Sequence, residues 1–372
     1  MDSSRAGRVV VFGATGYTGR LAVEALLERG LRPVLAGRDS GRLAGLAADL
    51  DGDLEVAVAD VSRPETVRAL LASGDVLLTT VGPFAKLGDA AAQAAIGAGA
   101  HYLDSTGEPQ FIRRVFEGHG PNAAQAGIAM LTAFGLDWVP GNLAGALAVQ
   151  EAGEAAARVD TGYFITGGAG SAATSGGTRA SLAGAVGSPS FAWRGGALRS
   201  ERGAARVRTF RFHGRDRPAV SVGSSEHFTL PRLHPGLQEV NVYLGWFGAL
   251  SRPIQAAALA GSVAFRAPGA RSLLDAVAGR LVKGSTGGPD ESRRARSGSH
   301  VVGIAYDGAG RQLSEVHLSG VEGYTFTGRM LAWGAERAAA GDLKGAGALG
   351  PAEAFGLDLL EAGCAEAGLH RA

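Results

Sequence analysis

The sequence contains a single cysteine, Cys364, among its 372 residues. One cysteine excludes a disulfide within the chain and a structural zinc site built on several thiolates. The segment MDSSRAGR at the N-terminus has no apolar signal core, and no uncharged apolar run reaches the roughly 20 residues that span a bilayer. We therefore expect a cytoplasmic protein with no transmembrane segment and no metal at its functional site.

The sequence also lacks an excess of positive or negative charge. The formal net charge is +1, from 36 basic and 35 acidic residues, so no nucleic-acid partner is expected. The 59 glycines show no G-x-y period, which excludes a collagen helix. A chain of this length, with 46% apolar and 19% charged residues, is typical of a globular protein with two domains.

The first 150 residues alternate short apolar runs with helical segments. Each pair of parallel strands needs a crossover connection, so this alternation predicts a doubly wound parallel α/β sheet, a Rossmann domain, over residues 1–150. The predicted strands are RVVVF, RPVLAGRD, LEVAVAD, DVLLTTVGPF, AHYLDSTGE and IAMLTAFGLDWVPG.

After residue 150 the alternation stops, and consecutive strand-like runs follow: RVDTGYFITGG, ARVRTFRFHG, EVNVYLGWFG, SHVVGIAYDG and QLSEVHLSGV. They predict an α+β substrate domain over residues 151–341, with helices near residues 178–187, 253–265, 270–283 and 323–340. The segment 342–372 begins a helical pattern at Pro351, and we expect a helix that packs back on the first domain.

The stretch VVVFGATGYTGR joins the first strand to the first helix through three glycines. Gly13 can take a backbone conformation that a side chain disfavours, Gly16 leaves room for a diphosphate at the helix N-terminus, and Gly19 permits close packing of helix on strand. A tight turn without a ligand is the alternative. The strand–turn–helix context favours a nucleotide site, which also includes Thr15, Tyr17 and Thr18.

The end of the second strand bears on the choice of cofactor. NAD sites usually carry an acidic residue there, whereas this strand ends in Arg38, whose guanidinium suits a 2′-phosphate. We therefore expect NADPH rather than NADH, with Arg42 assisting; Asp39 pairs with Arg38 or turns toward a ribose. Asp60, at the end of the third strand, either bonds the adenine amine or caps the next helix.

The loop TTVGPF ends the fourth strand at the edge of the sheet where ligands bind. Its residues Thr80, Val81, Gly82 and Pro83 are expected to hold the nicotinamide ribose. The loops DSTGE and FGLDWVPGN end the fifth and sixth strands at the same edge, so the side chain of Asp137 is expected to orient the substrate or the ribose, or to cap a helix.

A site that transfers a hydride from a nicotinamide to an electron-poor carbon also needs a proton donor. No Tyr-x-x-x-Lys dyad is evident, and Tyr324, in EGYTFTG, and Tyr163 are the candidate donors. A purely structural role is the alternative for each tyrosine.

Several motifs occur in one order along nearly the whole chain: GATGYTGR, LAGRD, TTVGPF, HYLDSTGE, FGLDWVP, GGT, EGYTFTG and GPAEAFG. Together they resemble the saccharopine dehydrogenase-like reductases, especially the actinobacterial trans-acting enoyl reductase branch. The resemblance implies a pyridine nucleotide on Gly13–Gly19, Arg38 and Val81–Pro83. Trans-acting enoyl reductases reduce a C=C bond of a polyketide chain, whereas saccharopine-type enzymes act on a C–N bond through an imine.

These observations predict an NADPH-dependent reductase of an activated C=C (enoyl) or C=N (imine) bond. The expected substrate is a small molecule or a carrier-bound, polyketide-derived intermediate, and a homodimer is one assembly that the sequence allows. The alternative is an NADPH-binding sensor or partner protein without hydride transfer.

Overall fold

The computed structural model describes residues 7–50, 52–167, 189–264 and 287–372. They fall into two units, and the chain passes from the first to the second at Val139/Pro140. The first unit comprises the described residues of Met1–Gly107, Phe111–Val139 and Gly323–Gly368; the second comprises those of Glu108–Gln110, Pro140–Glu322 and Leu369–Ala372.

The first unit contains a parallel sheet of seven strands. Its order, β15-β6-β5-β4-β1-β2-β3, reverses direction between β1 and β4, as in doubly wound sheets. The predicted α/β fold is therefore confirmed. The strands are β1 (Val9–Phe12), β2 (Val34–Gly37), β3 (Val56–Val58), β4 (Val76–Thr79), β5 (His101–Asp104), β6 (Ala129–Leu131) and β15 (Gly347–Ala348).

The six strands expected from the sequence all form, and β15 adds a seventh. Strands β1, β2 and β4 are buried along their whole length, which explains their continuous apolar runs. Strand β15 has only two residues and pairs with β6 in parallel. It is too short to give a run of strand-forming residues that would predict it from the sequence.

Helices alternate with these strands and continue into the second unit. In chain order they are α1 (Tyr17–Glu28), α2 (Ser40–Leu50), α3 (Pro64–Arg68), α4 (Phe84–Ala98), α5 (Pro109–Arg114), α6 (Gly120–Gln125), α7 (Val139–Ala152), α8 (Glu226–Leu233), α9 (Ser251–Ala264), α10 (Glu291–Ala295), α11 (Gly323–Ala339), α12 (Pro351–Phe355) and α13 (Leu357–Glu366). Val115–His119 forms a π-helical turn between α5 and α6. Among the described helices, none has both the length and the hydropathy needed to cross a membrane.

Helix α11 lies in the first unit, although the sequence pattern placed it in a substrate domain ending at residue 341. The helices α11 and α1 pack so closely that a Cβ on Gly328 would lie 3.0 Å from the backbone of Leu21. The expected C-terminal helix also lies in this unit. It is divided into α12 and α13 at Gly356, whose φ of +87° favours glycine.

The second unit contains a mixed sheet of nine strands with helices. Its main path runs β10-β11-β12-β7-β13-β14-β16, and only the β12–β7 pairing is parallel within it. The strands are β7 (Arg158–Gly167), β8 (Pro189–Arg194), β9 (Ala197–Arg202), β10 (Val207–Phe212), β11 (Arg215–Ser221), β12 (Glu239–Leu244), β13 (Ser297–Tyr306), β14 (Gln312–Val321) and β16 (Leu369–Arg371).

The sequence patterns located five of these nine strands but missed β8, β9, β11, β16 and helix α8. The helices expected at residues 178–187 and 270–283 lie outside the described residues. The helix expected at residues 253–265 corresponds to α9.

The two faces of this sheet are buried in different ways. On one face α7 approaches the backbone of β13, and a Cβ on Gly303 would lie 2.4 Å from the carbonyl oxygen of Ala144. On the other face an aromatic cluster fills the core. Its members are Phe164, Phe210, Phe212, Ala219, Tyr243, Val302, Ile304 and Tyr306.

The close approach of α7 to β13 predicts the effect of one methyl group. Gly303→Ala should lower the free energy of unfolding by about 1–3 kcal/mol, because the methyl group meets backbone atoms that cannot rotate away. Gly308→Ala is the matched control, since nothing lies within 4 Å of its Cβ position. Urea denaturation measures both variants, and equal midpoints would contradict the packing described.

Candidate active site

The glycine turn after β1 is shaped by two close approaches. Gly13 has a φ of +93°, and a Cβ there would lie 2.8 Å from Thr80 Oγ1. A Cβ on Gly19 would lie 2.2 Å from the carbonyl oxygen of Gly13, so α1 rests directly on the turn. Gly13 is therefore required both for its positive φ and for the close approach of Thr80. Gly19 is required only for the close approach of the Gly13 carbonyl.

Hydrogen bonds from the neighbouring strands fix the turn. The backbone N–H groups of Gly13 and Ala14 both donate to the carbonyl of Ala36 at the end of β2, over 2.9 and 3.2 Å. From the other side, Thr80 Oγ1 donates to the carbonyl of Gly13 over 3.2 Å. The turn therefore holds its shape through the protein's own contacts, before any ligand binds.

The N-terminus of α1 has the features of an anion-binding site. Gly16 precedes the helix without a side-chain cap, and the first turn carries no acidic residue. The first N–H groups of a helix lack intrahelical partners, and the helix dipole favours negative charge there. The turn and this helix end together fit the diphosphate of a dinucleotide.

Arg38 follows β2 directly and is exposed. In the part of the chain that the structure describes, no ion pair involves Arg38. Asp39 is engaged elsewhere, because its Oδ1 accepts from the backbone N–H of Arg42 over 3.0 Å and caps α2. Arg42 donates to the carbonyl of Thr15 over 3.2 Å, which ties α2 to the glycine turn.

Asp60, after β3, takes part in a local turn. Its Oδ1 accepts from both the backbone N–H and the hydroxyl of Ser62, each over 2.8 Å. Its pKa is lowered, mainly by the N–H of Ser62 and further by the charges of Arg63 and Arg38. The carboxylate thus supports the connection to α3 and lies within the electrostatic reach of Arg38.

The loop after β4 faces solvent at the carboxyl edge of the sheet. Thr80 and Val81 are half-buried, whereas Gly82 and Pro83 are exposed, and the Gly82–Pro83 peptide is cis. Helix α4 begins immediately afterwards, at Phe84. The loop therefore lies beside the glycine turn, where the sheet order reverses and ligands bind in this architecture.

Asp104, at the end of β5, joins two loops through one buried carboxylate. Its Oδ1 accepts from the N–H groups of Thr106 and Ala133 over 2.8 and 2.9 Å, and its Oδ2 accepts from Thr132 Oγ1 over 2.8 Å. Burial raises the pKa of Asp104 to about 6, while the three donors act in the opposite direction. The bond to Ala133 also holds that residue at a φ of +59°, which a non-glycine residue rarely adopts.

Asp137 lies on the loop that Asp104 holds. Its Oδ1 is buried and has no hydrogen-bond partner among the described residues, although the residue as a whole is partly exposed. Burial alone raises the pKa of Asp137 to about 7. A Cβ on Gly107 would lie 2.9 Å from Asp137 Oδ2, so the carboxylate rests on the DSTGE loop. A carboxyl group with this pKa can carry a proton at neutral pH.

Tyr324, in the first turn of α11, lies beside the glycine turn. Its ring meets that of Tyr17 edge to face, with centroids 5.1 Å apart. In the same helix, Thr327 Oγ1 accepts from the backbone N–H of Leu136 over 3.0 Å, next to Asp137. The start of α11 therefore contacts both the glycine turn and the Asp137 loop.

Tyr163 lies in the second unit with a buried side chain. Its hydroxyl donates to Glu226 Oε1 over 2.5 Å and accepts from the backbone N–H of Gly141 over 2.8 Å. A Cβ on Gly141 would lie 2.0 Å from that hydroxyl oxygen, which leaves no space between them. The bonds of Tyr163 thus join β7 to the starts of α7 and α8.

The sequence predicted the glycine turn, Arg38, the TTVGPF loop and Asp137 as site residues, but it did not single out three residues that hold the Asp137 loop. Asp104, Gly107 and Thr327 act through contacts with the Asp137 loop, and the motifs DSTGE and EGYTFTG were the only signals that included them. Among the described residues, no group of three or more His, Cys, Asp or Glu side chains is arranged to hold a metal ion.

These features define a doubly wound nucleotide-binding unit joined to a mixed-sheet unit. The sequence profile of the NAD(P)H-binding family matches residues 13–108, from the glycine turn through the DSTGE loop. A nicotinamide cofactor is therefore supported for this chain.

The chain is similar to the trans-acting enoyl reductase of Mycobacterium leprae. The two are 40% identical over 140 residues, which cover 36% of this chain and 34% of that protein. The alignment thus spans about a third of the relative's length. The resemblance stated from the motifs is confirmed over this part.

Two solved structures share the fold over nearly the whole chain. Saccharopine dehydrogenase (L-Glu forming) from Saccharomyces cerevisiae has a TM-score of 0.59 and 14% identity, covering 98% of this chain and 99% of that one. Homospermidine synthase from Legionella pneumophila, in complex with NAD, has a TM-score of 0.61 and 10% identity, covering 98% and 91%. At these identities the likeness shows the α/β architecture alone.

The pKa of Asp137 predicts how stability depends on pH. The folded-state pKa of about 7 lies above 3.8, the ordinary pKa of an aspartate, so folding favours the protonated form and stability falls as pH rises from about 4 to 7. The side chain of Asp137→Asn carries no charge over this pH range, so the stability of the variant should not show this fall. In wild type the fall amounts to up to about 1.4 kcal/mol for each unit by which the pKa is raised. Urea denaturation at pH 5 and pH 8 measures the difference.

Asp104, with its pKa of about 6, titrates in the same window but is present in both proteins. The difference between wild type and Asp137→Asn therefore isolates Asp137. An identical pH dependence in the two proteins would show that the Asp137 carboxyl is well solvated.

Proposed function

We propose that this chain is an NADPH-dependent reductase that acts on the C=C bond of an enoyl thioester. The observation that carries the proposal is a carboxyl group of raised pKa, Asp137, on a loop at the same sheet edge as a preformed dinucleotide turn. The similarity to a trans-acting enoyl reductase supports the substrate class.

The geometry of the first unit supports the following assignment of cofactor residues. The diphosphate is assigned to the turn from Gly13 to Gly19, including Thr15, Tyr17 and Thr18, and the 2′-phosphate to Arg38. Asp60 adds a contact on the adenosine side, and Thr80 to Pro83 hold the nicotinamide ribose. When bound, NADPH supplies a hydride.

The protein must then supply a proton. An α,β-unsaturated thioester that has gained a hydride at its β-carbon is an enolate, and it needs one proton at the α-carbon. Asp137 is the group that we assign to this proton, because its carboxyl is protonated in part at neutral pH. Asp104 keeps the loop in place and is a positioning residue.

The two tyrosines receive different roles in this proposal. Tyr324 lies against Tyr17 and is the second candidate for proton donation or for a hydrogen bond to the substrate carbonyl. Tyr163 was an equal candidate in the sequence, but its hydroxyl already bonds Gly141 and Glu226 in the core of the second unit. We therefore assign Tyr163 a structural role.

The cofactor preference is tested by titrating the protein with NADPH and with NADH. Wild type should bind NADPH at least about tenfold more tightly, and Arg38→Ala should lose most of that preference, because a charge-assisted bond to phosphate contributes about 1.5–3 kcal/mol. Arg252→Ala, at an exposed arginine of the second unit, is the control. An Arg38→Ala protein that keeps the full preference would contradict the role of Arg38.

The role of Asp137 is tested by NADPH oxidation with crotonyl thioesters and cyclic imines as substrates. Asp137→Asn should lower kcat by roughly 10²-fold with little change in NADPH affinity, and Tyr324→Phe should have a smaller effect. In wild type, kcat should fall above about pH 7, where the carboxyl loses its proton.

The same panel distinguishes the alternatives. Reduction of the imines alone would assign the chain to C=N chemistry, and cofactor binding without turnover of any substrate would favour a sensor or partner protein. An unchanged kcat in Asp137→Asn would remove Asp137 from the mechanism.

A further inference from the structure

Four polar side chains of strands β13 and β14 form a continuous row of hydrogen bonds in the second unit. Ser319 Oγ lies 2.5 Å from Nδ1 of His300, and His300 Nε2 lies 2.9 Å from Nδ1 of His317. His317 Nε2 in turn lies 2.9 Å from Oε1 of Glu315. We call these four residues the Ser319 network.

The strand register explains why these side chains meet. His300 lies opposite Ser319 in the antiparallel β13–β14 pair. Side chains two positions apart on a strand share a face of the sheet, so His317 and Glu315 lie on the face of Ser319. His300 is buried, and the ring of Phe212 stacks on its ring with centroids 4.1 Å apart. Ser319 is only half-buried, so the serine reaches solvent while its histidine partner is shielded from it.

The row of bonds determines which atom carries each proton. An ionised carboxylate only accepts, so His317 donates to Glu315 through its Nε2–H. Nδ1 of a neutral His317 is then an acceptor, and His300 donates to it through its own Nε2–H. Nδ1 of His300 is left as an acceptor, and the hydroxyl of Ser319 is its donor. All three bonds therefore point from the serine hydroxyl toward the carboxylate.

The protonation state of His300 agrees with this direction. Burial lowers the pKa of His300 to about 4, so its ring is neutral at pH 7. The charges of its neighbours His317, His213 and Arg217 act in the same direction. His300 would be a weak base if a proton taken from the serine stayed on it. It can instead pass its Nε2 proton to His317, where the positive charge is stabilised by the carboxylate of Glu315, as in a serine–histidine–carboxylate triad.

The carboxylate end of the network is held by its own strand. Oε2 of Glu315, the oxygen that does not face His317, accepts from Gln312 Nε2 over 2.7 Å. Within the ranges that the structure describes, no three His, Cys, Asp or Glu side chains are arranged to bind a metal ion. The two histidines are therefore placed to act through their hydrogen bonds, and the chemistry that such a row of bonds supports is proton transfer.

We propose that Ser319 is a nucleophile that takes the acyl group of a carboxylic ester, a second activity of this chain beside the reductase proposed above. Ser319 Oγ attacks the carbonyl carbon, and its proton passes to Nδ1 of His300 while the Nε2 proton of His300 passes to His317. The bond from the carbonyl carbon to the alcohol oxygen then breaks, and the proton returns along the network to that oxygen. Water hydrolyses the acyl-serine by the same proton transfers, which releases the acid and restores the hydroxyl.

A network that only stabilises the β13–β14 hairpin is the alternative, and a second serine of β14 provides the comparison. Ser314 is half-buried like Ser319, and its hydroxyl donates to the backbone carbonyl of Ala148 over 2.6 Å. A carbonyl satisfies the hydroxyl but does not take its proton, whereas a ring nitrogen does. Ser314 is therefore the matched control for a reactive Ser319.

The test is the reaction of the protein with p-nitrophenyl acetate, with the acetylated residue located by mass spectrometry of its peptides. Wild type should release p-nitrophenolate in a burst and carry the acetyl group on Ser319. Ser319→Ala should react roughly 10²-fold more slowly, and Ser314→Ala should stay within about twofold of wild type. A wild type that is not acetylated on Ser319, or equal rates in the two variants, would overturn the proposal.

Glu315→Gln separates the activation of the serine from the folding of the hairpin. Glu315 is exposed, so the variant should unfold at the urea concentration that unfolds wild type. Its uncharged amide no longer stabilises a positive charge on His317, so acetylation of Ser319 should be at least about tenfold slower. A folded Glu315→Gln protein that reacts at the wild-type rate would leave the network with a structural role alone and contradict the proposal.

The pH profile is a readout that a structural role would not move. A proton on His317 makes both of its ring nitrogens donors, so His300 then accepts at Nε2, donates to Ser319 from Nδ1 and no longer acts as its base. The rate of acetylation of wild type should therefore fall as the pH is lowered. The other titratable or charged groups beside the network are His213, Arg217 and, opposite Ser319 on β16, His370. A wild-type rate that does not change with pH, after the rate of Ser319→Ala is subtracted, would contradict the proposal.

Discussion

The close packing of α11 on α1 is the constraint on which the surroundings of the glycine turn depend. Because Gly328 has no side chain, α11 can approach α1 until the Cα of Gly328 lies against the backbone of Leu21. At that distance Tyr324 reaches Tyr17 beside the glycine turn, and Thr327 reaches the backbone of Leu136. A segment more than 300 residues along the chain thus completes the surroundings of the dinucleotide turn.

The buried carboxylate of Asp104 is similarly important for the proposed proton transfer. Asp104 stays in the core because three donors satisfy its two oxygens, and an unsatisfied buried charge would be costly. Through those bonds the loops after β5 and β6 form one structure, on which Asp137 is held with an oxygen shielded from water. Burial raises the pKa of both carboxyl groups, and in the proposed mechanism they have separate roles: Asp104, which is bonded, positions the loop, and Asp137 supplies the proton.

Local patterns in the sequence predicted what depends on local physics. The parallel sheet, the glycine turn and the exposed Arg38 follow from apolar periodicity and from the order of strand, turn and helix. The place of α11 could not be predicted, because its bond to Leu136 joins residues 191 positions apart. Tyr163 shows the same limit: a tyrosine in a β-strand can lie on either face, and its bond to Glu226 was invisible in the sequence. The β8–β9 hairpin was missed because arginines interrupt its apolar alternation.

We infer that the glycine turn, Arg38, the Val81–Pro83 loop and Asp137 form a single site for one dinucleotide. A crystal structure of the protein with NADP+ tests it most directly. We expect the diphosphate at the N-terminus of α1, the 2′-phosphate on Arg38, and the nicotinamide ring within contact of Asp137. A 2′-phosphate away from Arg38, or a nicotinamide that does not reach Asp137, would contradict the account.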